Sequence, residues 1–292
     1  MTRILLEKAA AAGLTFFLVG KLPWQKVVLL YIVLGQGHFF TAYLYQYKAG
    51  KVGRNYLLFY AFCLAAIVLT YQTYPDYAIL VAVTTIYFLI HMLFDELYLL
   101  RLPMGLSKSP MTTGRFLEMT PILLLYSGRV VEALFPRLSR APVHLGEHLT
   151  SLCWVVLGCY VLLLMAGRHK MDWRSAYFLS WSGFLLYAVY SEWFYQVPTG
   201  KLTGFIIIYH YFAWYFHYYL NLRGRSGRKT YVVRVATVNI LVVACFLVWG
   251  QQGPGKYLFQ NDIFYIWTLM HLITSTRPND LKGLFKANRP SG

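Results

Sequence analysis

The feature that most constrains this chain is a repeated length: apolar stretches of about twenty residues, nearly free of charge, recur from one end to the other. A helix of that length rises about 30 Å, the thickness of a bilayer's hydrocarbon core. The stretches fall at about 26–47, 55–74, 77–100, 116–134, 149–167, 175–195, 202–222, 230–250 and 258–276. Residues 4–20 form a shorter tenth candidate, a spanning or interfacial helix, with Lys21 and Trp24 suited to an interface. The expected fold is therefore all-α, a polytopic transmembrane helix bundle of about nine spans, between eight and ten.

Composition supports this class. Of 292 residues, 58% are hydrophobic and 13% are charged, against about 25% charged in a soluble domain. The net charge of +16 raises nucleic-acid binding, but its placement argues against that. Lys and Arg gather in short clusters between the apolar stretches: Lys48/Lys51/Arg54, Arg101/Lys108/Arg115, Arg168/Lys170/Arg174, Arg223/Arg225/Arg228/Lys229 and the tail from Arg277 to Arg289. If the chain alternates sides at each of nine spans, all five clusters reach one face. Basic loops facing anionic cytoplasmic lipid give this pattern. The expectation is a multi-pass cell-membrane protein, C-terminus cytoplasmic, with membrane lipid and no nucleic acid as partner.

No internal repeat and no long linker divides the sequence. Residues 1–292 read as one membrane domain, with 1–25 as a short N-terminal or interfacial helix and 277–292 as a tail. Glu7 and Lys8 interrupt the first apolar run, which argues against a cleavable signal peptide. The cysteines (Cys63, Cys153, Cys159, Cys245) sit in apolar segments without a C-x-x-C pair, so neither a disulfide framework nor a zinc knuckle is indicated.

Ionisable side chains at membrane depth are costly, and they pair, ligate or line a pathway. This chain has His38 in the first span, His91, Asp95 and Glu96 in the third, and Glu118 in the fourth. His210 and His217 lie in the seventh span and His271 in the ninth. His91 and Asp95 are four residues apart, on one helical face about 6 Å along the axis. His210 and His217 are seven apart and again nearly aligned. Depth counting puts His38, His91 and His210 near the midplane and Asp95, His217 and His271 in the cytoplasmic half. Five of the eight histidines thus share one half-thickness on four helices, as a metal site would require.

Taken singly, each residue has a plainer role. A membrane histidine can serve as a hydrogen-bond partner, and Asp95 can pair with Arg101 or hold His91. Glu118 reads as a solvated carboxylate beside Arg115, and Glu192 as interfacial. The aromatic helix Tyr209–Tyr219 either lines a cavity for a long apolar ligand or packs ordinarily. His144, Glu147 and His148 form H-x-x-E-H, the inverted zinc-protease pattern. Without a sizeable extramembrane domain this is a decoy or a peripheral metal contact. Imidazole donors without clustered thiolates suit iron, copper, zinc or nickel.

At these histidines the sequence resembles the Brp/Blh membrane proteins of bacteria and archaea, which cleave β-carotene to retinal. Gly35-Gln36-Gly37-His38 is similar to the family's early Gly-x-x-His, and Ile90-His91 with Asp95 matches its Ile-His-x-x-x-Asp segment. Phe216-His217-Tyr218-Tyr219-Leu220-Asn221 keeps the first His of His-x-x-x-His and has Asn221 in place of the second. Met270-His271 with Arg277-Pro278 is similar to the last-helix motif, while Thr41 and Ala42 stand where the early motif continues to an Asp.

The resemblance implies a non-haem iron oxygenase of lipid or isoprenoid metabolism. It would use iron(II), one or two ions, or another transition metal, and act with molecular oxygen on a carotenoid, polyene or fatty chain. It implies His38, His91, His217 and His271 as metal ligands and Asp95 as the residue that orients His91. His210 would be a fifth ligand or a substrate-side group. The rival expectations are an ion- or proton-coupled transporter with intramembrane histidines, and a metal-independent membrane cyclase. A transporter would favour broken helices in matching halves, and Pro121 and Pro198 do not occupy matching positions.

Overall fold

The computed structural model describes residues 2–48, 50, 52–73, 77–99, 113–134, 145–191, 196–222 and 224–275. All regular structure among them is helical: α1 (Thr2–Lys21), α2 (Trp24–Lys48), α3 (Arg54–Thr73), α4 (Tyr77–Leu99), α5 (Thr113–Leu134) and α6 (Leu145–Met165). α7 (Trp173–Tyr190), α8 (Thr199–Asn221), α9 (Arg225–Trp249), α10 (Lys256–Phe259) and α11 (Asn261–Ser275) follow. Each of the nine apolar stretches is helical over most of its described residues, and residues 4–20 lie within α1.

Among the described residues, five helices are long and apolar enough to cross a membrane: α2, α3, and most of α4, α6 and α9. Their surfaces make the same point. No described residue of α3 is buried, and Leu57, Leu58, Phe59, Phe62 and Leu69 are exposed along it. Ile240, Leu241, Leu247 and Val248 are exposed along α9. Contiguous apolar surface of this extent is unfavourable in water and natural against lipid chains.

Three of the other helices fall short for identifiable reasons. α5 carries Arg115, Glu118, Arg129 and Glu132, and α8 spends its length on nine aromatic rings and two histidines. α11 has only 15 residues, about 22 Å of rise. The last apolar stretch, expected to be continuous from 258, is broken near its start. α9 stops at Gly250, whose φ of 54° is left-handed, and a second left-handed glycine, Gly253 at 49°, opens a single 3-10 turn. After α10 the backbone at Gln260 is extended, so α11 begins only at Asn261.

The described chain gathers into two compact units, although no linker in the sequence separates them. The first comprises Met1–Thr84 with Gly200–Ser275, and the second includes Thr85–Thr199; the division falls within α4. In the first unit α2 is central, packed against α1, α9, α10 and α11, while α3 lies against α11. Small residues permit the close approaches. A Cβ at Gly204 would run into Val27, and one at Gly37 into Asn239, the small-residue packing common between membrane helices. In the second unit α5 packs on both α6 and α7.

Candidate metal centre

His38 is the hub of the first unit's polar interior. Its ring centroid lies 5.5 Å from that of His210 on α8 and 5.2 Å from that of His271 on α11. All three side chains are buried. Both neighbours thus sit at ring-contact distance from His38, meeting it edge-on.

Aromatic rings wall this cluster. Tyr211 stacks on His38 at 4.7 Å, and Phe39 stacks on His271 at 4.7 Å. Tyr215 meets His38 edge-on at 6.0 Å. The Tyr211 hydroxyl is buried and has no hydrogen-bond partner among the described residues. It presses against Gly35, where an added Cβ would lie 2.6 Å from the hydroxyl oxygen and 2.7 Å from the Phe264 ring. Glycine at 35 is therefore what lets the rings close around His38. Gln36, one residue on, donates to the Leu258 carbonyl at 2.6 Å and ties α2 to α10.

His217 takes a different place. It lies two turns beyond His210, about 10 Å along α8, and Trp214 stands between them, 6.4 Å from His210 and 6.2 Å from His217. His217 Nδ1 faces Glu7 Oε2 of α1 at 3.6 Å. Sequence reasoning missed Glu7 as a site residue. A carboxylate within an apolar run was the available signal, and it was read only against a signal peptide. The structure thus groups His210 with His38 and His271, and sets His217 beside a carboxylate.

His91 and Asp95 belong to the second unit, where His91 Nε2 lies 3.1 Å from Asp95. Arg101, the alternative partner for Asp95, lies outside the described residues, as do His144 and Glu192. His148 is exposed near the start of α6. The side chains of Asn221 and Glu147 are not among those described. The four cysteines are free thiols.

The expectation for Glu118 needs correction. It pairs with Arg115, at 2.5 Å, but it is fully buried instead of solvated. Its other oxygen accepts from the Tyr160 hydroxyl at 2.8 Å and lies 3.0 Å from His169 Nε2. Gly114 makes room, since a Cβ there would run into the His169 ring. Arg115 continues to Asp172 at 3.0 Å, and Asp172 also binds Arg174. Two arginines counted among the lipid-facing basic clusters are thus engaged in internal ion pairs. Asp172 caps α7, accepting from the Arg174 and Ser175 backbone N–H groups. Partial burial opposes its ionisation, but hydrogen bonds from Arg174, Ser175 and Arg115 outweigh burial and hold the carboxyl well below its usual range.

No protein-family model matches this chain, nor does any curated protein or solved structure.

Proposed function

We propose that this chain is a multi-pass membrane enzyme, a metal-dependent oxygenase of lipophilic substrates, with His38, His210 and His271 holding a transition metal, iron(II) by preference. The observation that carries this reading is that three helices bury their imidazoles together, those of His210 and His271 in ring contact with His38. The donor set fits such an ion: neutral nitrogen ligands with no thiolate suit borderline metals that work with oxygen. A buried Tyr211 hydroxyl beside these rings adds a polar group that an occupant could engage. When bound, iron(II) would activate dioxygen, while the substrate's own double bond would supply the electrons that reduce it.

The chain's own residues would do the rest. Tyr211 and Phe39 fix the imidazole planes by stacking, and the aromatic shell keeps bulk water from the rings. A polyene such as a carotenoid suits a site walled by aromatic faces and entered from lipid. Cleavage of one C=C bond by one O2 would give two carbonyl groups, with every atom accounted for. The resemblance to the Brp/Blh proteins supports the same substrate class. His217 beside Glu7 would serve a second ligand position. Nine spans with a cytoplasmic C-terminus remain the topology that brings the basic loops to one side.

The test uses detergent-purified protein supplied with iron(II) and β-carotene in air. Aldehyde products should form, stop without oxygen, and vanish in His38→Ala. Wild-type protein that binds no transition metal and turns over no polyene would end this reading; proton-coupled uptake in vesicles would favour a transporter instead.

A further inference from the structure

A short strap, residues 166–172, joins α6 to α7, and its polar side chains divide into two sets. α6, apolar and long enough to cross a membrane, ends at Met165. There the Gly167 N–H donates to the Leu164 carbonyl and the Arg168 N–H to that of Leu163, both at 3.0 Å. Gly167 is left-handed at a φ of 66°, which closes the helix and turns the chain back. The strap is then tied down at two points. His169, its side chain 8% exposed, lies 3.0 Å from the Glu118 carboxylate, and Asp172 binds both Arg115 and Arg174. The charges of Glu118 and Asp172 are thus answered from within the unit.

Arg168 and Lys170, on either side of His169, form the other set. Both are exposed, and neither has an ion pair or a side-chain hydrogen bond among the described residues. Leu162, Met165 and Met171 are exposed around them. Two unanswered positive charges therefore stand beside apolar side chains at the end of a helix fit to cross a membrane, the depth at which a lipid's phosphate meets its chains.

We propose that this strap holds the headgroup of an anionic phospholipid, with Arg168 and Lys170 answering its phosphate and Leu162, Met165 and Met171 meeting its acyl chains. A guanidinium can grip two phosphate oxygens at once, and an ammonium adds a compact charge. A slack basic loop draws anionic lipids without holding any one of them. Here the two ties fix the backbone on which the cations stand, so less freedom is lost when a lipid docks. The inference rests on the membrane reading of α6 and not on a metal at His38.

The experiment uses full-length protein in an uncharged detergent, stripped of lipid and titrated with phosphatidylglycerol or phosphatidylcholine. Native mass spectrometry counts the lipid bound per chain. The wild type should take its first phosphatidylglycerol about tenfold more tightly than phosphatidylcholine. Arg168→Gln combined with Lys170→Gln should weaken that first phosphatidylglycerol about 25-fold, about fivefold for each cation at an anionic surface, and leave phosphatidylcholine unchanged. Lys48→Gln combined with Arg54→Gln removes two exposed charges from the first unit and should change it by less than about twofold. All four positions are exposed, so helix content should be kept in both variants. Equal affinity of the wild type for the two lipids overturns the proposal. Equal losses in the two double variants do so as well, because they would show surface charge acting without a site. Displacement of the bound lipid by millimolar inorganic phosphate would make the strap a free-anion site and overturn it too. Wild-type protein that stays soluble after the detergent is removed would refute the membrane reading itself.

Discussion

The two units bury polar groups in opposite ways. In the first, His38, His210 and His271 are surrounded chiefly by rings: Tyr211, Tyr215 and Phe39. In the second, Glu118 is surrounded by donors: Arg115, Tyr160 and His169. A carboxylate given three donors has its charge answered by the fold itself. Such a group serves as a fastener, here joining α5 to α6 and to the segment before α7. Neutral imidazoles packed among aromatic rings can be buried at lower electrostatic cost than a carboxylate. The contrast separates a polar cluster tied together by charge from one packed by rings.

The largest consequence for stability therefore lies in the second unit. Glu118→Ala removes one of the two carboxylates paired with the buried Arg115 guanidinium, together with the partner of Tyr160 and His169, and should destabilise the protein by about 3 kcal/mol. Thermal unfolding in detergent would measure this. A shift no larger than that of a surface substitution would erase the distinction between the units.

Next comes Gly35→Ala in the first unit. The new methyl meets the Tyr211 hydroxyl and the Phe264 ring, and overpacking of this kind costs about 1–3 kcal/mol. The sharper readout is metal affinity, which should fall because the rings stacked on His38 must move. Unchanged affinity would mean that the aromatic wall does not position the imidazoles.

The smallest effect belongs to Asp172. Losing the cap in Asp172→Ala should cost about 1 kcal/mol. The sign with pH follows from its lowered folded value. The contribution is complete above the ordinary carboxylate value of 3.8 and is lost as pH falls below it toward the folded one. Comparing wild type and Asp172→Ala from pH 6 down to pH 3 should show their stabilities converge at the acid end. Parallel curves would contradict the assignment.

What the sequence made legible follows from what is local. Helices announced themselves because twenty apolar residues in a row have few other options, and His91 with Asp95 could be paired because four residues make one turn. Glu118 was misread because its partners Tyr160 and His169 lie 42 and 51 residues away; nothing in α5 alone distinguishes a solvated carboxylate from a saturated one. The grouping of His210 with His38 depends likewise on which face of α8 meets α2, and the small Gly200 and Gly204 that set this contact carry no visible address. Glu7 was visible as an oddity, yet its meaning required His217, 210 positions later.

The central claim is that His38, His210 and His271 hold one transition-metal ion. Elemental analysis of detergent-purified protein, after loading with iron(II) and removal of excess, tests it most directly. About one tightly held iron per chain at this centre is expected in the wild type, lost in each of His38→Ala, His210→Ala and His271→Ala while helix content is kept. Full iron in all three folded variants, or none in the wild type, would contradict it.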